Sequence, residues 1–185
     1  FFNDLHDMIR YQADMIPTMA RYANFGTVRS KGVELDIKGD AAPILYLYAN
    51  ATFQDLRDHR EHENGSEAAN PTYNKRMPNI PYILANGGLE FHKANLFGGE
   101  DQNSRFLVDA SYIHEYFYDF EMSKYQDRKI PSSFTIDAGL EHSFKDDSFI
   151  LSFKVKNLTD KIVYSELNRP LPGRNFSFKI RYVMK

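Results

Sequence analysis

The chain has 185 residues, a length that favours a single domain with a sizeable core. Its formal net charge of −2 provides no basic surface for nucleic acid, so we expect no nucleic-acid partner. It contains no Cys, which excludes disulfide bonds and thiolate metal sites, and no apolar run of about 18 residues, which excludes a transmembrane helix. A membrane-spanning β-strand is still compatible with the sequence, because such a strand needs only ~9–11 residues of alternating character.

Apolar residues recur at every second position along most of the chain, a period typical of β-strands with two different faces. Between residues 44 and 55, for example, Leu45, Leu47 and Phe53 share one face and Tyr46 and Gln54 the other. The pattern predicts about eight strands, of which the first is weak. In chain order they lie around residues 5–11, 32–38, 44–55, 83–91, 106–112, 134–141, 149–156 and 175–184.

The connections between these strands alternate between short and long. Residues 39–43 and 145–147 are tight turns and residues 93–104 a connection of moderate length, whereas the long ones are residues 14–28, 56–80, 119–133 and 158–174. In an antiparallel sheet this alternation places all the long loops at one end. Transmembrane barrels have this layout, with short turns on one side of the membrane and long loops on the other.

The two faces of the predicted strands need different surroundings, and two architectures satisfy them. A small closed eight-stranded barrel, either a soluble lipocalin-like binder or a small outer-membrane barrel, is one. The other is a transmembrane barrel with the apolar face in lipid and the polar face around a wet or plugged lumen. Aromatic clusters at strand ends favour membrane girdles. These residues are Tyr46, Tyr48, Tyr112, Tyr116, Phe117, Tyr118 and Phe120.

Four short segments carry a more specific pattern. They are Asn24–Leu35 (NFGTVRSKGVEL), Tyr48–Phe53 (YANATF), Lys156–Lys161 (KNLTDK) and Pro172–Phe176 (PGRNF). Their order and spacing resemble the C-terminal β-barrel region of TonB-dependent outer-membrane receptors, especially those of Bacteroidetes-like bacteria. The resemblance covers about residues 24–185. Two features depart from the family pattern: Tyr164 lies one residue later than in the family motif N-L-T-D-x-x-Y, and the chain ends Met184-Lys185 rather than on an aromatic residue.

The resemblance implies an all-β fold, an antiparallel up-and-down transmembrane β-barrel. Such transporters have 22 strands around a plug, so about eight strands would form the last third. Residues 1–185 would be a C-terminal fragment of the barrel without its plug domain, as the start at Phe1 without Met or signal peptide also suggests. The implied place is the bacterial cell outer membrane. The implied partners are outer-membrane lipid, the protein's own plug domain, the inner-membrane TonB complex and a small-molecule metal chelate.

The implied function is active uptake of a scarce, bulky nutrient, with an iron–siderophore or haem complex as the expected cargo. We expect no enzyme, because the sequence has no nucleophile–base set, phosphate loop or paired-carboxylate geometry. We also expect no cofactor. Charges of both signs on the polar face should pair across strands or contact the plug. They are Glu34, Asp36, Asp137, Glu141, Lys154, Lys156, Lys179 and Arg181.

Candidate ligand contacts lie in the long loops and at their bases. His59 and His62 do not form a His-Glu-x-x-His motif, so we expect a solvated loop there and no metal site. Arg169 and Arg174 suit an anionic iron complex, since guanidinium pairs with carboxylate and catecholate oxygens, but folding of the last loop explains them equally. The full set is His59, His62, Tyr73, Arg76, His114, Tyr116, Tyr118, Arg169 and Arg174.

Overall fold

A computed structural model describes residues 1–12, 21–24, 26–62, 67–118, 120 and 129–184. These residues form fourteen β-strands, and none of them lies in a helix long and apolar enough to cross a membrane. The strands are β1 (Phe2–Leu5), β2 (Ile9–Gln12), β3 (Arg21–Asn24), β4 (Val28–Ala42), β5 (Leu45–Asp58), β6 (Ile83–Ala94), β7 (Asn103–Ile113), β8 (Tyr116–Phe117), β9 (Lys129–Ile130), β10 (Ser133–Phe144), β11 (Phe149–Lys156), β12 (Tyr164–Glu166), β13 (Arg169–Pro170) and β14 (Asn175–Tyr182).

Eight of these strands form one sheet, the main sheet, in the order β1-β4-β5-β6-β7-β10-β11-β14. Every neighbouring pair is antiparallel, which confirms the predicted all-β, up-and-down arrangement. The other six strands pair as the hairpins β2-β3, β8-β9 and β12-β13, each inside a long connection. The end of the sheet that carries these connections is the long-loop end, and the opposite end is the short-turn end.

The register aligns most apolar residues of the long strands on one side of the main sheet, the apolar face. Leu47 lies opposite Leu89, Leu89 opposite Val108, and Leu151 opposite Ile180. Much of this face is open to the surroundings, with Val33 65% exposed. Other exposed members are Leu35, Ile37, Leu47, Phe53, Leu89, Phe106, Phe134, Leu140, Phe153, Phe176, Phe178 and Ile180. An apolar surface of this extent on a sheet fits contact with lipid rather than water.

The main sheet is open along the described strands, because no ladder joins its edges β1 and β14. A closed eight-stranded barrel, the alternative architecture, requires that ladder. The predicted pairing of the last strand with its predecessor is confirmed, from Lys156 opposite Asn175 to Phe149 opposite Tyr182. The sheet therefore has the form of a barrel segment.

The first predicted strand is wrong in its boundaries. Residues 5–11 do not form one strand: Phe2–Leu5 pairs with β4, and Ile9–Gln12 belongs to the separate hairpin with β3. Asp7 divides them with φ of 56°, a left-handed conformation that ends an extended strand. Residues 13–20, 25, 63–66, 119 and 121–128 of the predicted long loops lie outside the described part of the chain.

Candidate functional site

The connections at the long-loop end contact one another through backbone groups and one tyrosine side chain. Each contact ties one long connection to the next, so the described parts of the loops form one surface. The hydrogen bonds run from His59 N to Thr27 O at 2.9 Å, from Asn79 N to Phe117 O at 2.8 Å, and from Tyr116 Oη to Ser165 O at 3.3 Å.

Asp58 anchors the base of the β5–β6 loop. Its side chain has no solvent exposure and accepts hydrogen bonds from Arg60, Asn70 and Thr72, with Thr72 Oγ1 at 2.6 Å and Asn70 Nδ2 at 2.9 Å from Oδ2. Burial alone raises the pKa of Asp58, but the hydrogen bonds outweigh it and hold the pKa below its usual value. Asp58 lies five positions past Phe53, the last apolar residue of its strand on the apolar face, and so belongs to the loop region.

Sequence reasoning missed this anchor. The three partners are separated from Asp58 by up to 14 residues, so no local spacing indicates them. The only available signal was Asn70-Pro71-Thr72, a group of turn-forming residues in the middle of the long loop.

Asp55 is the centre of a second cluster, on the apolar-face side of the same strand. Arg57 Nε lies 2.8 Å and Lys31 Nζ 3.9 Å from Asp55 Oδ2, and Arg76 Nε lies 3.2 Å from Oδ1. Arg76 also places its guanidinium carbon 4.1 Å from the centre of the Tyr82 ring. Arg76, a candidate ligand residue, is therefore engaged with an acid and an aromatic ring.

The structure brings His59 and Tyr73 together, with ring centroids 5.7 Å apart in an edge-on contact. Tyr73 is exposed and His59 half-buried. His62 is exposed and its backbone bridges to Ala69, so it points to a different part of the loop. Among the described residues, no group of three or more His, Asp or Glu side chains is arranged to hold a metal ion.

His114, Tyr116 and Tyr118 lie in and beside the β7–β10 connection. His114 packs edge-on against Tyr82 with ring centroids 4.7 Å apart, and its Nδ1 is 2.8 Å from Tyr112 Oη. Tyr116 is buried, whereas the Tyr118 carbonyl accepts a hydrogen bond from Asn79 Nδ2 at 3.2 Å. These contacts hold neighbouring loops together.

An ion pair adds to the same connection. Lys129 Nζ donates to Glu115 Oε1 at 2.8 Å, and this contact lowers the pKa of the Glu115 carboxyl. Lys129 Nζ also lies 5.1 Å from the centre of the Phe117 ring. Glu115 directly precedes β8 and Lys129 begins β9, so the two strands are joined through side chains as well as backbone.

Arg169 and Arg174 are both exposed, in the connection between β11 and β14. Arg169 Nη1 pairs with Glu166 at 3.1 Å within the β12–β13 hairpin. The backbone N–H of Arg174 donates to Asp160 Oδ1 at 2.8 Å, which leaves its guanidinium outside that contact. The structure does not bring Arg169 or Arg174 into contact with the histidines of the other loops.

The polar face carries a hydrogen-bonded and ion-paired network. Tyr48 Oη donates to Asp109 Oδ1 at 2.6 Å, and Lys154 Nζ lies 3.8 Å from Asp109 and 3.9 Å from Asp137. The predicted pairing of charges across strands is thus present at Lys154 and Asp137. A cavity of about 300 Å³ lies along this network, lined by Tyr48, Asn50, Asn86, Asp109, Ala110, Ser111, Thr135 and Asp137.

The predicted girdle role of Tyr46 and Tyr48 is wrong. Tyr48 reaches Asp109 on the polar face, and Tyr46 lies opposite Glu90, two positions from Tyr48 and hence on that same face. Tyr112, opposite Phe134, does lie on the apolar face near the long-loop end.

Comparisons with known proteins identify this architecture. The family model described as TonB dependent receptor-like, beta-barrel matches residues 1–158. Among curated proteins, no sequence matches the chain.

Several solved structures share the fold at low sequence identity. The siderophore receptor PiuA from Acinetobacter baumannii is 17% identical with a TM-score of 0.64, over 87% of this chain and 22% of that receptor. BauA, the ferric preacinetobactin receptor of the same organism, is 13% identical with a TM-score of 0.64, over 97% and 25%. The ferric yersiniabactin uptake receptor FyuA from Yersinia pestis is 17% identical with a TM-score of 0.65, over 96% and 24%.

The chain thus spans about a quarter of the length of these receptors. Its open eight-stranded sheet corresponds to part of a larger barrel. With a family match over residues 1–158 and this fold, the chain belongs to the TonB-dependent receptor β-barrel family.

Proposed function

We propose that the chain is the C-terminal part of the barrel of a transporter that takes up an iron–siderophore complex across the bacterial outer membrane. Barrels of this family lie in the outer membrane. The similar solved structures are receptors for siderophores and ferric chelates, which supports an iron chelate as the cargo more than haem. The driving energy would come from an inner-membrane TonB complex that acts on a plug domain outside this chain.

One observation carries the proposal: a single open sheet presents an exposed apolar face on one side and an ion-paired polar face on the other. In a water-soluble sheet the exposed side is the polar one. Lipid on the apolar side and a plugged or wet lumen on the polar side satisfy both faces at once.

The long-loop end supplies the groups that would meet the chelate. Tyr73, His62, Arg169 and Arg174 are exposed there, and the two guanidinium groups suit the oxygens of an anionic ferric complex. Arg76, His114 and Tyr116 hold neighbouring groups in place, so their contribution would be to shape the loops as well as to bind.

The experiment is uptake of radiolabelled iron siderophores by the host that carries the full-length gene. We expect deletion of the gene to abolish uptake of one siderophore class, and collapse of the inner-membrane proton gradient to have the same effect. The double variant Arg169→Ala/Arg174→Ala should bind that siderophore about tenfold or more weakly, since each removed charge-assisted contact costs on the order of 1.5–3 kcal/mol.

The matched control is Lys93→Ala/Lys179→Ala, which removes two positive charges from strands away from the loops. Uptake that persists in the gene deletion for every ferric siderophore tested would contradict the proposed function. Equal loss of binding in both double variants would contradict the role of the two arginines.

A further inference from the structure

Three cationic side chains surround Asp55 just beyond the apolar face at the long-loop end, and a fourth on the same side, Arg29, pairs with Asp4 instead. Val33 and Lys31 are two positions apart on β4, and Phe53, Asp55 and Arg57 follow the same period on β5, so all five point to the same side of the main sheet. Arg76 reaches this side from the β5–β6 loop by pairing with Asp55. We call Lys31, Arg57 and Arg76 the basic cluster.

The basic cluster has more positive than negative charge. All three cations lie within 3.9 Å of one carboxylate, that of Asp55. The Asp55 side chain is 21% exposed, whereas those of Lys31, Arg57 and Arg76 are 58%, 33% and 31% exposed. One carboxylate cannot neutralise three cations, so the cluster offers N–H donors and net positive charge to a further anion.

The apolar surface next to the cluster forms a groove of about 480 Å³. It is shallow, with Lys31 and Asp55 at the charged end and Phe1, Val33, Phe53, Tyr82 and Ile83 at the apolar end. A ligand that filled it would need an anionic head beside an apolar chain. A phospholipid has that chemistry.

We propose that the basic cluster binds the phosphate of a lipid headgroup in the membrane leaflet around the long-loop end, with an acyl chain of the same lipid along the Val33–Phe53–Ile83 groove. The inference rests on the proposed membrane location. From Leu45 to Phe53 the apolar face of β5 extends over nine residues, close to the ~9–11 that a spanning strand needs. Asp55 and Arg57 therefore come at headgroup depth, where long basic side chains extend their charge towards the interface.

The short-turn end of the same face differs in a way that supports the assignment. Its border carries Phe91, Phe106, Phe144 and Phe149, with the His142 ring packed edge-on against Phe144 at 4.3 Å. Aromatic rings of this kind suit a membrane interface without charge selection. One cation, Lys93, lies two positions past Phe91 on this border, whereas three surround a single carboxylate at the long-loop end.

The test is lipid binding to the full-length receptor in neutral detergent, followed by native mass spectrometry. The probe is phosphatidic acid, and the neutral comparison is diacylglycerol, which has the same chains without phosphate. The triple variant Lys31→Ala/Arg57→Ala/Arg76→Ala should bind phosphatidic acid about tenfold or more weakly than the unaltered receptor, with diacylglycerol binding unchanged. The conservative variant Arg57→Lys/Arg76→Lys should retain most of the affinity, because it preserves the charges.

The matched control is Lys38→Ala/Lys93→Ala/Lys179→Ala, which removes three positive charges elsewhere in the main sheet and should leave phosphatidic acid binding unchanged. Equal affinity in the folded triple variant and the unaltered receptor would overturn the inference. So would displacement of the lipid by equimolar glycerol phosphate, which would mark a site for soluble phosphate. Normal siderophore uptake without selective phosphatidic acid binding would refute the lipid site alone, and lipid binding without uptake would refute the proposed transport alone.

Discussion

Asp160 Oδ1 accepts the backbone N–H of Arg174 at 2.8 Å, and this bond joins two of the sequence motifs that define the end of the barrel. In the first motif, Lys156–Lys161, the Asn157 side chain closes a turn. It accepts a hydrogen bond from Lys161 N at 3.0 Å and donates one to Lys161 O at 2.8 Å. The turn presents Asp160 to Gly173-Arg174, from which β14 starts. The spacing of the two motifs therefore reflects a contact that positions the last strand.

Gly173→Ala should disrupt this contact, because a Cβ at Gly173 would lie 2.8 Å from Asp160 Oδ1. We expect the Asp160 side chain to shift and the Arg174 amide to exchange about two- to tenfold faster, as loss of one hydrogen bond of roughly 0.5–1.5 kcal/mol predicts. Hydrogen exchange with mass spectrometry on the full-length receptor measures it. Gly39→Ala is the control, since a Cβ there meets nothing within 4 Å. Unchanged exchange at Arg174 would contradict the prediction.

Gly88→Ala should disconnect Tyr48 from the polar-face network. A Cβ at Gly88 would lie 2.6 Å from Tyr48 Cε1 and 2.8 Å from Asp109 Oδ1, so the ring and the carboxylate that share a 2.6 Å hydrogen bond must separate. The expected cost is about 1–3 kcal/mol of barrel stability, the usual range for overpacking. Thermal unfolding of the purified receptor measures it.

The neighbouring Gly87→Ala is a matched control, because its nearest contact would be Tyr48 O at 3.4 Å, an ordinary van der Waals distance. The two substitutions add the same methyl group one residue apart, on opposite faces of β6. If Gly88→Ala and Gly87→Ala lowered the stability of the barrel equally, the strand propensity of alanine, rather than displacement of Tyr48, would explain the loss.

Asp58→Asn should loosen the β5–β6 loop and remove a pH dependence. The folded-state pKa of Asp58 is below its usual value, so the ionised carboxylate stabilises the loop fully above that usual value, and the stabilisation disappears as pH falls through the folded-state pKa. Loss of the carboxylate should cost about 1–3 kcal/mol locally, since the half-buried Arg60 guanidinium loses its 2.8 Å ion pair with Asp58 and Thr72 and Asn70 lose their shared charged acceptor.

The measurement is the hydrogen-exchange protection of the Asn74 amide, which donates to Asp58 O at 2.7 Å and so reports the stability of the loop. After correction for the intrinsic rate, protection should decline in the unaltered receptor as the solution is acidified below the usual aspartate pKa. In Asp58→Asn it should be low at every pH. Asp40→Asn, an exposed position at the short-turn end, should behave like the unaltered receptor. Protection that is independent of pH in the unaltered receptor would exclude Asp58 as the titrating group.

The long strands of the main sheet could be predicted because their two faces meet different surroundings. The alternation of Leu45, Leu47 and Phe53 with polar residues directly reflects that difference, and the register in the structure follows it. Strand ends were less predictable. The alternation of apolar and polar residues continues through residues 5–11, although Asp7 adopts a left-handed φ of 56° that ends the strand. A hydrophobic period of two does not indicate the backbone conformation of a single residue, so this boundary could not be predicted.

The hairpins and the loop anchor could not be predicted for a different reason. β8-β9 and β12-β13 have strands of two or three residues, too short to show a period. Asp58 meets Asn70 and Thr72 only after the loop has folded back on the strand. The position of Tyr48 near a strand end resembles a girdle position, but its alternation with Leu47 indicates the polar face, and the structure agrees with the alternation.

Cysteine labelling at Leu151 and Lys154 tests which face of the main sheet is in lipid. Leu151 is on the apolar face opposite Ile180, and Lys154 is on the polar face within 3.9 Å of Asp109 and Asp137. The chain has no Cys, so Leu151→Cys and Lys154→Cys each introduce one thiol into this region. In the native membrane, a membrane-impermeant maleimide should label Leu151→Cys at least about tenfold more slowly than the exposed loop position His62→Cys, because thiolate formation and reagent access both require water.

The exposed loop position His62→Cys provides the reference for full reaction with the impermeant reagent. Rates at Leu151→Cys equal to those at His62→Cys would contradict lipid contact on the apolar face. The rate at Lys154→Cys adds a second measurement, because a plug that covers the polar face would slow it and a water-filled lumen would not. Reaction of Leu151→Cys with the impermeant reagent that is slow relative to His62→Cys is the result expected for a strand that spans a membrane with its apolar face outward.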